Sequence, residues 1–336
     1  MSQAPAPLLE VADLSKEFDV TPGLVQRLRA GRRVAKAVTS VSLSIPSGET
    51  LGLVGESGSG KTTVGKSVIR LYDPDGGRIV FEGHDIARLS RRAVLPFRRR
   101  MQMVFQDPES SLNRRHTVER VLSLPLRVHG LASGRERRER IANALEQVGL
   151  SPRFARRYPH EFSGGQRQRI GIARALITEP SLVIADEPVS ALDVSTQAQI
   201  VNLLTRLQEE LGLSFLFISH DLSVVKHVSR RVAVMYLGEI VESGPSEDVL
   251  ARPAHPYTRS LLSAVPRLRG DAGRGRRVIL QGEVPGPVDP PTGCRFHTRC
   301  PAFIGDVCRT VAPRPRTLAD GHVVRCHLYD QEDAGE

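Results

Sequence analysis

One short run limits the folds open to this chain: Gly55-Glu-Ser-Gly-Ser-Gly-Lys61-Thr62, directly after the apolar segment Thr50–Val54. The run fits the spacing G-x-x-x-x-G-K-[ST], with a strand predicted before it and a helix predicted from about Lys61 onward. Glycines let the backbone wrap around phosphate oxygens, so that N–H groups point inward, and a helix N-terminus adds partial positive charge. The sequence therefore predicts a phosphate-binding loop, called here the phosphate loop (residues 55–62).

Within the phosphate loop, we expect Lys61 to reach the β and γ phosphates of a nucleotide and the Thr62 hydroxyl to hold Mg²⁺. The alternative is a glycine-rich surface turn, which would not require a strand, lysine, threonine and helix in this order. The residues expected to contact the nucleotide here are Gly55, Ser57, Gly58, Ser59, Gly60, Lys61, Thr62 and Thr63.

Two adjacent carboxylates, Asp186 and Glu187, follow the apolar run 182–185. A carboxylate at the C-terminal end of a buried strand suits an Mg²⁺ ligand, which we assign to Asp186. The next carboxylate, Glu187, is then placed to polarise a water for attack on the γ phosphate. Taken alone, the pair could equally cap the following turn, but the phosphate loop upstream favours the catalytic interpretation.

The rest of the chain alternates strand and helix patterns. Val41, Leu43 and Ile45 alternate with serines, which predicts a half-buried strand. The runs 182–185 and 215–218 are apolar on both faces, as in buried parallel strands. Helices are predicted over 166–177 and Val194–Leu211, so the pattern indicates an α/β layered core.

Three regions stand apart from this core. Residues 22–36 form a basic, glycine-containing insertion, predicted to be an exposed loop. The segment of about 90–165 is basic and predicted to be helical, and the charge run 135–140 is the solvated start of one helix. Beyond about residue 250 periodicity fades, so we expect a nucleotide-binding domain over 1–250 and a small irregular extension over 251–336.

Composition excludes several classes of protein. With 336 residues, 40% hydrophobic and 25% charged, the chain is neither disordered nor a low-complexity fibre. Its apolar runs fall far short of the roughly 20 residues that a membrane span needs, and its first residues do not form a signal peptide. We therefore expect a cytosolic protein unless a partner holds it at a membrane. The net charge of +10, carried mostly by arginine, leaves anionic partners open.

Further motifs follow in a fixed order: Gln106 in Val-Phe-Gln-Asp-Pro, Ser163-Gly-Gly-Gln-Arg167, Ser190-Ala-Leu-Asp193, and His220 in Ile-Ser-His-Asp. Together with the phosphate loop and the acidic pair, they resemble the Q-loop, signature, D-loop and switch histidine of the ATP-binding subunits of ABC transporters. Phe162 precedes the signature, where leucine is common. The resemblance covers about residues 8–250. It implies a P-loop ATPase core with an antiparallel β subdomain and a helical subdomain.

The resemblance also implies how the residues work. In this family two such domains dock head to tail, with ATP between the phosphate loop of one and the signature of the other. It assigns the catalytic roles to Glu187, His220 and Gln106, and the Mg²⁺ contacts to Thr62, Gln106 and Asp186. Further nucleotide contacts are implied for Phe18, as an adenine-stacking aromatic, and for Ser163, Gly164, Gly165, Gln166 and Asp193.

A closer resemblance is to oligopeptide and dipeptide importers. It lies in residues 106–113 (QDPESSLN), 255–262 (HPYTRSLL) and 293–301 (GCRFHTRCP), although Arg114 stands where that family usually has proline. The insertion and the QDP form look more like the second of the two ATPases these importers often pair. The implied partners are two membrane permeases, a sister ATPase or a second copy of this chain, and an extracytoplasmic binding protein. The implied place is the cytoplasmic face of the membrane, and nickel chelates and glutathione are alternative cargoes.

Four cysteines, Cys294, Cys300, Cys308 and Cys326, lie close together in the extension. Four thiols in a proline-rich segment suggest an ion or cluster that orders it, but the C-x2-C pairs common at zinc sites are missing. Importers with this cysteine pattern can carry a four-iron, four-sulfur cluster, which the resemblance implies here. Zinc and unligated thiols stay open as alternatives. Three nearby histidines are interpreted as surface residues or neighbours of such a site: His297, His322 and His327.

A second class of function also fits the basic charge. Some ABC ATPases act on DNA or on ribosomes, and a net charge of +10 is compatible with nucleic acid. Against this, the chain has one cassette and carries the importer-type extension. Aromatic residues are only 4%, and tryptophan, a base-stacking side chain, is missing. We therefore expect no nucleic-acid partner.

Overall fold

The structure is a computed structural model that describes residues 6–21, 33–264, 280, 282–318 and 321–330. Most of the predicted insertion, residues 22–32, lies outside the described residues, where the exposed-loop prediction is not tested. The strands are β1 (Leu9–Asp19), β2 (Val34–Ile45), β3 (Thr50–Val54), β4 (Gly76–Phe81), β5 (His84–Asp85), β6 (Met101–Val104), β7 (Leu182–Asp186), β8 (Ser214–Ser219), β9 (Arg231–Tyr236), β10 (Glu239–Pro245), β11 (Arg316–Thr317) and β12 (Val323–Val324).

The helices of the described residues fall between these strands along the chain, singly or in runs. They are α1 (Lys61–Val68), α2 (Leu95–Arg100), α3 (Pro108–Ser111), α4 (Val118–Val128), α5 (Gly134–Gln147), α6 (Gly164–Leu176), α7 (Val194–Leu211), α8 (Leu222–Val228), α9 (Ser246–Ala251), α10 (Pro256–Ser263) and α11 (Asp306–Thr310). None of them combines the length and the apolar character needed to cross a bilayer.

The chain divides into two compact units. The first contains Ser44–Thr50 and Val80–Ser219, together with the segment that ends at Leu9. The second contains the described parts of Glu10–Leu43, Leu51–Ile79 and of the chain from His220 onward. The residues beyond 250 thus share a unit with the phosphate loop, while the division into domains near residue 250 stays a prediction.

The first unit is built on three parallel strands in the order β6-β7-β8. Every residue of β7 and β8 is buried, as their apolar runs predict. Helix α6 contacts β6, α3, α4, α5 and α7, so it forms the centre of this unit. The helix predictions over 166–177 and Val194–Leu211 are confirmed, the first with a start two residues earlier.

One prediction in this unit is wrong. The segment 90–165 is not helical throughout, because Met101–Val104 forms β6 and pairs with β7, with Met101 opposite Leu182. A strand of four residues is too short for periodicity to separate it from a helix, so only its pairing identifies it. The run 135–140 does begin a helix as predicted, with ion pairs one turn apart between Arg135 and Glu139 and between Arg140 and Glu136.

The second unit carries a mixed sheet. Strand β3 runs parallel to β9, and β9 pairs antiparallel with β10. The extension then adds two short strands, because β12 pairs with β10 and β11 with β12, all antiparallel. The extension is therefore less irregular than predicted, since it continues the sheet that carries the strand before the phosphate loop. Strands β2, β1 and β4 lie side by side in that order in another sheet.

Candidate functional site

The phosphate loop joins β3 to α1 and closes around the side chain of Lys61. The Lys61 ammonium donates to the carbonyl oxygens of Gly55 and Glu56, both at 2.8 Å, and to Ser59 Oγ at 3.3 Å. Lys61 is only 4% exposed, so its charge is held by the loop itself. The loop therefore holds a buried cation beside the helix N-terminus, the combination that binds phosphate.

Two glycines of the loop have no space for a side chain. A Cβ on Gly60 would lie 2.3 Å from the Ala37 carbonyl oxygen, and its φ of +105° is in the region that favours glycine. A Cβ on Gly55 would lie 2.1 Å from the Met235 carbonyl oxygen. The loop thus runs against neighbouring backbone, which is why glycine is required at both positions.

The other predicted loop residues differ in exposure. Ser57 and Gly58 are exposed at the bend, and Thr62 and Thr63 are half-buried in the first turn of α1. Ser59 is buried, and its carbonyl oxygen accepts a hydrogen bond from Gly238 N–H at 2.9 Å. The residues present therefore fit a nucleotide phosphate, and the Mg²⁺ contact of Thr62 stays a prediction.

Phe18 and His220 belong to the same unit as the phosphate loop. Phe18 lies on β1, half-buried, with its ring edge-on to Tyr72 at a centroid distance of 5.2 Å and Lys16 over its face. His220 is exposed directly after β8, next to Asp221, which caps α8 by accepting from Ser223 N–H. Both placements leave the predicted adenine and γ-phosphate roles as proposals.

The first unit brings Gln106 and Glu187 together. Asp186 ends β7 and is buried at 3% exposure, while Glu187 follows it with a φ of +45°. Gln106 Nε2 donates to Glu187 Oε2 at 3.0 Å, and Glu187 N–H donates to the Ile218 carbonyl oxygen at 2.9 Å. A non-glycine residue in this strained backbone region is typical of functional positions, where the surrounding structure holds the residue in place.

The predicted signature begins α6. Ser163 Oγ accepts from Gln166 N–H at 3.3 Å, and Gln166 Oε1 accepts from Ser163 N–H at 3.1 Å, which is a reciprocal capping box. Gly164 and Gly165 form the first turn. A Cβ on Gly165 would lie 2.4 Å from Thr196 Cγ2, so the signature packs closely against the start of α7.

Asp193 caps that same start of α7. Its carboxylate accepts from Thr196 N–H at 2.9 Å, from Ser195 Oγ at 2.6 Å and from Thr196 Oγ1 at 3.0 Å. The hydrogen bond from Ser195, followed by those from Thr196, lowers the pKa of Asp193 to about 2. Asp193 thus has a structural role as a cap, and its predicted contact with nucleotide stays a proposal.

Comparison with known proteins decides the family. The model of the ABC transporter family matches residues 38–190, and that of the oligopeptide/dipeptide transporter C-terminal region matches residues 241–308. The oligopeptide transport ATP-binding protein AppF of Bacillus subtilis is 53% identical over 325 residues, covering 96% of this chain and 97% of the relative. The chain belongs to the ATP-binding subunits of oligopeptide/dipeptide ABC transporters. It is an ABC transporter ATPase coupled to peptide transport.

Solved structures agree with this fold. A dimeric ATP-binding cassette in a post-hydrolysis state, bound to ADP and phosphate, is 30% identical with a TM-score of 0.62. That likeness covers 71% of this chain and 98% of the solved one. The cbiO1 protein of Clostridium perfringens, part of an ABC transporter complex, has a TM-score of 0.61 at 28% identity, covering 73% of this chain and 91% of its own. The predicted fold class of an ABC ATPase is therefore confirmed.

In this ABC ATPase the four cysteines lie close to one another. Cys294 N–H donates to the Cys308 carbonyl oxygen at 2.9 Å, and a Cβ on Gly293 would meet that oxygen at 2.6 Å. Burial raises the pKa of the Cys294 thiol to about 12 and that of Cys326 to about 11, and it also raises the pKa of Cys300. All three other thiols act electrostatically on Cys294; Cys300 and Cys308 act on Cys326, and Cys308 acts on Cys300.

The described side chains do not form a preformed metal site around the cysteines. Among the residues that the structure describes, no group of three or more His, Cys, Asp or Glu side chains could hold a metal ion. The zinc alternative is therefore not supported. The iron–sulfur cluster likewise has no support in the described geometry beyond the closeness of four thiols, the donor type that such clusters use.

The histidines near the cysteines need a correction. His322 and His327 are both 6% exposed, so they are not surface residues. His322 Nε2 lies 2.7 Å from the buried carboxylate of Glu242, and His327 bonds to Asp330 and to the Val311 carbonyl oxygen. The burial of His322 follows from the pairing of β12 with β10, which sequence patterns did not predict. His297 is half-buried, with Nδ1 2.9 Å from the Cys294 carbonyl oxygen.

Sequence reasoning missed a set of contacts that the extension makes with the phosphate loop. Arg299 forms a two-point ion pair with Glu56, and the Tyr257 hydroxyl accepts a hydrogen bond from Glu56 N–H at 2.8 Å. The ion-pair partners are 243 positions apart. Arg299 lies in the segment 293–301 that resembles the importer extension, but nothing in that segment indicates which residue its arginines contact.

Proposed function

We propose that this chain hydrolyses ATP at the cytoplasmic face of a membrane to power the import of oligopeptides or dipeptides. The observation that carries the proposal is the 53% identity to an oligopeptide transport ATP-binding protein along 96% of the chain. Within that match, the phosphate loop closes around Lys61, and Gln106 contacts Glu187.

The nucleotide-binding roles are assigned from the motifs, and the shape of the phosphate loop around Lys61 supports them. Lys61 and the amides at the start of α1 bind the β and γ phosphates, and Phe18 stacks on the adenine. The Thr62 hydroxyl, with Asp186 and Gln106, holds Mg²⁺. When bound, the metal supplies positive charge that favours the attack on the γ phosphate.

Hydrolysis needs a base that is kept in place before the nucleotide arrives. Glu187 accepts the proton of the attacking water, and its contact with Gln106 orients its carboxylate. His220 donates to the γ phosphate as negative charge accumulates there. Ser163, Gly164, Gly165, Gln166 and Asp193 contact the nucleotide held by a second ATPase.

The working assembly contains more chains than this one. The second ATPase is a sister subunit or another copy of this chain, and we place this chain as the second ATPase of the usual pair. Two membrane permeases move with ATP-driven closure, and an extracytoplasmic binding protein delivers the cargo.

The first test is Glu187→Gln, which removes the base and keeps the side-chain size. ATP binding is expected to stay within about threefold of the native value, while hydrolysis falls by about 10²- to 10⁴-fold because proton transfer is lost. Binding is measured by titration with a fluorescent ATP analogue and hydrolysis by phosphate release. The matched control is Glu209→Gln on the exposed face of α7, which should change neither. Native-like turnover in the Glu187 variant would exclude Glu187 from the mechanism.

The second test identifies the assembly. Tagged Glu187→Gln protein is held with Mg²⁺ and ATP and isolated from native membranes. Two multi-span permeases with a sister ATPase would support the importer, and ligands of the accompanying binding protein would distinguish peptides from nickel chelates or glutathione. Capture of ribosomes or DNA without a membrane protein would overturn the transport proposal.

The four cysteines are a separate part of the proposal. We propose that they hold an iron–sulfur cluster, which would bring order to a proline-rich segment in which four thiols already lie close together. Anaerobically purified protein should then contain iron and absorb visible light. Iron-free protein without such absorption would leave the four as free thiols.

A further inference from the structure

Arg299 lies in the cysteine-bearing extension and contacts the phosphate loop directly. Its Nη1 is 2.8 Å from Glu56 Oε2, and its Nη2 is 3.3 Å from Glu56 Oε1. The Arg299 side chain is 8% exposed and that of Glu56 is 27% exposed. A planar guanidinium that meets both carboxylate oxygens fixes orientation as well as distance.

Glu56 makes several of the hydrogen bonds that hold the phosphate loop in shape. Its N–H donates to the Tyr257 hydroxyl at 2.8 Å, and its carbonyl oxygen accepts from Lys61 Nζ at 2.8 Å. The same carbonyl oxygen accepts from Ser59 N–H at 3.2 Å. A shift of Glu56 would therefore shift the lysine partner and the turn that shapes the phosphate-binding backbone.

Arg299 itself is held by aromatic side chains. Its guanidinium lies 6.0 Å from the ring centroid of Tyr236, and its Nη1 is 3.5 Å from the Tyr236 hydroxyl. The Tyr236 ring packs on Tyr257 at 4.7 Å and on Phe296 at 5.2 Å, centroid to centroid. Tyr257 and Phe296 both belong to the chain beyond residue 250. Aromatic side chains of the extension therefore pack around the tyrosine that contacts Arg299.

A second arginine of the extension reaches the same neighbourhood. Arg295 pairs with Glu239 at 2.9 Å, donates to Thr39 Oγ1 at 3.1 Å and also donates to the Leu237 carbonyl oxygen. The next residue, Gly238, donates its N–H to the Ser59 carbonyl oxygen of the phosphate loop at 2.9 Å. The extension thus supports the loop at two points, directly at Glu56 and indirectly at Ser59.

We propose that Arg299 is a positioning residue for ATP, holding Glu56 so that the phosphate loop keeps its phosphate-binding shape. The inference deepens the proposed function and rests on it, because the loop is the proposed nucleotide site. Arg299 acts through Glu56 and has no assigned contact with the nucleotide.

Removing the Arg299 side chain and removing the Glu56 side chain are expected to have different effects on the residue left behind. Without Arg299, the Glu56 carboxylate is exposed enough to be hydrated. Without Glu56, the Arg299 guanidinium stays buried with an uncompensated charge, which is costly. Variants at Arg299 are therefore expected to fold, and they give the cleaner test.

The experiment compares Arg299→Ala and Arg299→Lys with the native full-length chain. The dissociation constant for Mg-ATP is measured by fluorescent-nucleotide titration, and kcat and KM by phosphate release. Arg299→Ala should raise both the dissociation constant and KM by about 10- to 100-fold, the range of a lost charge-assisted contact, with kcat within about threefold. Arg299→Lys keeps the charge and should recover part of the affinity.

Arg309→Ala is the matched control, because Arg309 lies in the same extension, where it pairs with Asp306 at the surface and lies over the Phe303 ring. It should leave KM unchanged. A purely structural role would lower the active fraction, so that kcat falls in Arg299→Ala while KM stays native, and this result would overturn the proposal. Native affinity in Arg299→Ala would overturn it as well. Failure of the native chain to bind Mg-ATP would overturn the proposed function, and the role of Arg299 with it.

Discussion

Two glycine-rich segments in this chain each begin a helix, and they differ in what precedes the first turn. Helix α1 follows Gly60, a residue without a side chain to cap it, and begins with the buried Lys61. Helix α6 follows Ser163, which forms a reciprocal capping box with Gln166. The first helix start is shaped by the backbone around a cation, and the second is satisfied by its own side chains.

The difference indicates two ways to build an anion site. The phosphate loop concentrates positive potential within a single unit, since Lys61 is enclosed by carbonyl oxygens of its own loop. The signature is already capped and needs no ligand for stability. This fits the proposal that the phosphate loop binds ATP first and that Ser163 meets phosphate only when a second ATPase docks.

The largest expected effect comes from Gly60→Ala, which disrupts the backbone at the start of α1. The added Cβ would lie 2.3 Å from the Ala37 carbonyl oxygen, at a φ of +105° that alanine rarely adopts. We expect ATP binding to be lost and the free energy of unfolding to fall by about 2–4 kcal/mol. Nucleotide titration and urea unfolding measure both quantities.

The control for this change is Gly171→Ala in α6, where a new Cβ has no atom within 4 Å. It should leave ATP binding unchanged and stabilise the protein by up to about 1 kcal/mol, because alanine favours the helix interior. Equal losses in the two variants would show that steric crowding at Gly60 is not the cause.

A smaller effect is expected from Ser163→Asp at the start of α6. This substitution keeps the capping role of residue 163 but disfavours its contact with a phosphate. Aspartate caps as well as serine, so the free energy of unfolding should stay within about 0.5 kcal/mol of the native value. Its negative charge would repel an arriving γ phosphate, so hydrolysis should fall by about 10-fold or more. Thermal unfolding and phosphate release give the two readouts.

The same substitution at another helix start is the control. Ser133 precedes α5 and is exposed, so Ser133→Asp should preserve both stability and hydrolysis. If Ser163→Asp hydrolyses ATP at the native rate, the signature serine does not face a phosphate during turnover.

The remaining expected effect is a difference in acid response between two other helix starts, α10 and α7. Complete burial, followed by the charge of Arg259, lowers the pKa of His255 to about 3, and His255 Nδ1 caps α10. Between about pH 6.5 and 3 the unfolded state therefore binds more protons, so acidification destabilises the fold by up to about 1.4 kcal/mol per pH unit. Asp193, with a pKa of about 2, loses its contribution only below about pH 4.

His255→Asn tests this difference, because asparagine can cap the helix without titrating in this range. Urea unfolding of this variant between pH 6.5 and 4 should show a shallower loss of stability than the native chain. Identical slopes would mean that His255 is not buried as a neutral ring.

The sequence predicts the features whose signals are local. The phosphate loop is set by spacing between one strand and one helix, and the bounds of α7 follow from apolar periodicity and from Asp193 as a cap. Strand β6 was missed because Met101–Val104 is short and only its pairing with β7 defines it. The burial of His322 was missed for the same reason, since it depends on a strand pair far apart in sequence.

By itself, the sequence determined the family, the phosphate loop and the order of the motifs, because these depend on residue types at fixed short spacings. Only the tertiary structure brought Arg299 to Glu56, set Tyr257 behind the phosphate loop and joined the extension to the sheet at β10. Those contacts link segments up to 243 positions apart. Long-range packing decides which of the chain's many arginines contacts Glu56. Neither the position of Arg299 in the fold nor its burial can be read from its neighbours in the sequence.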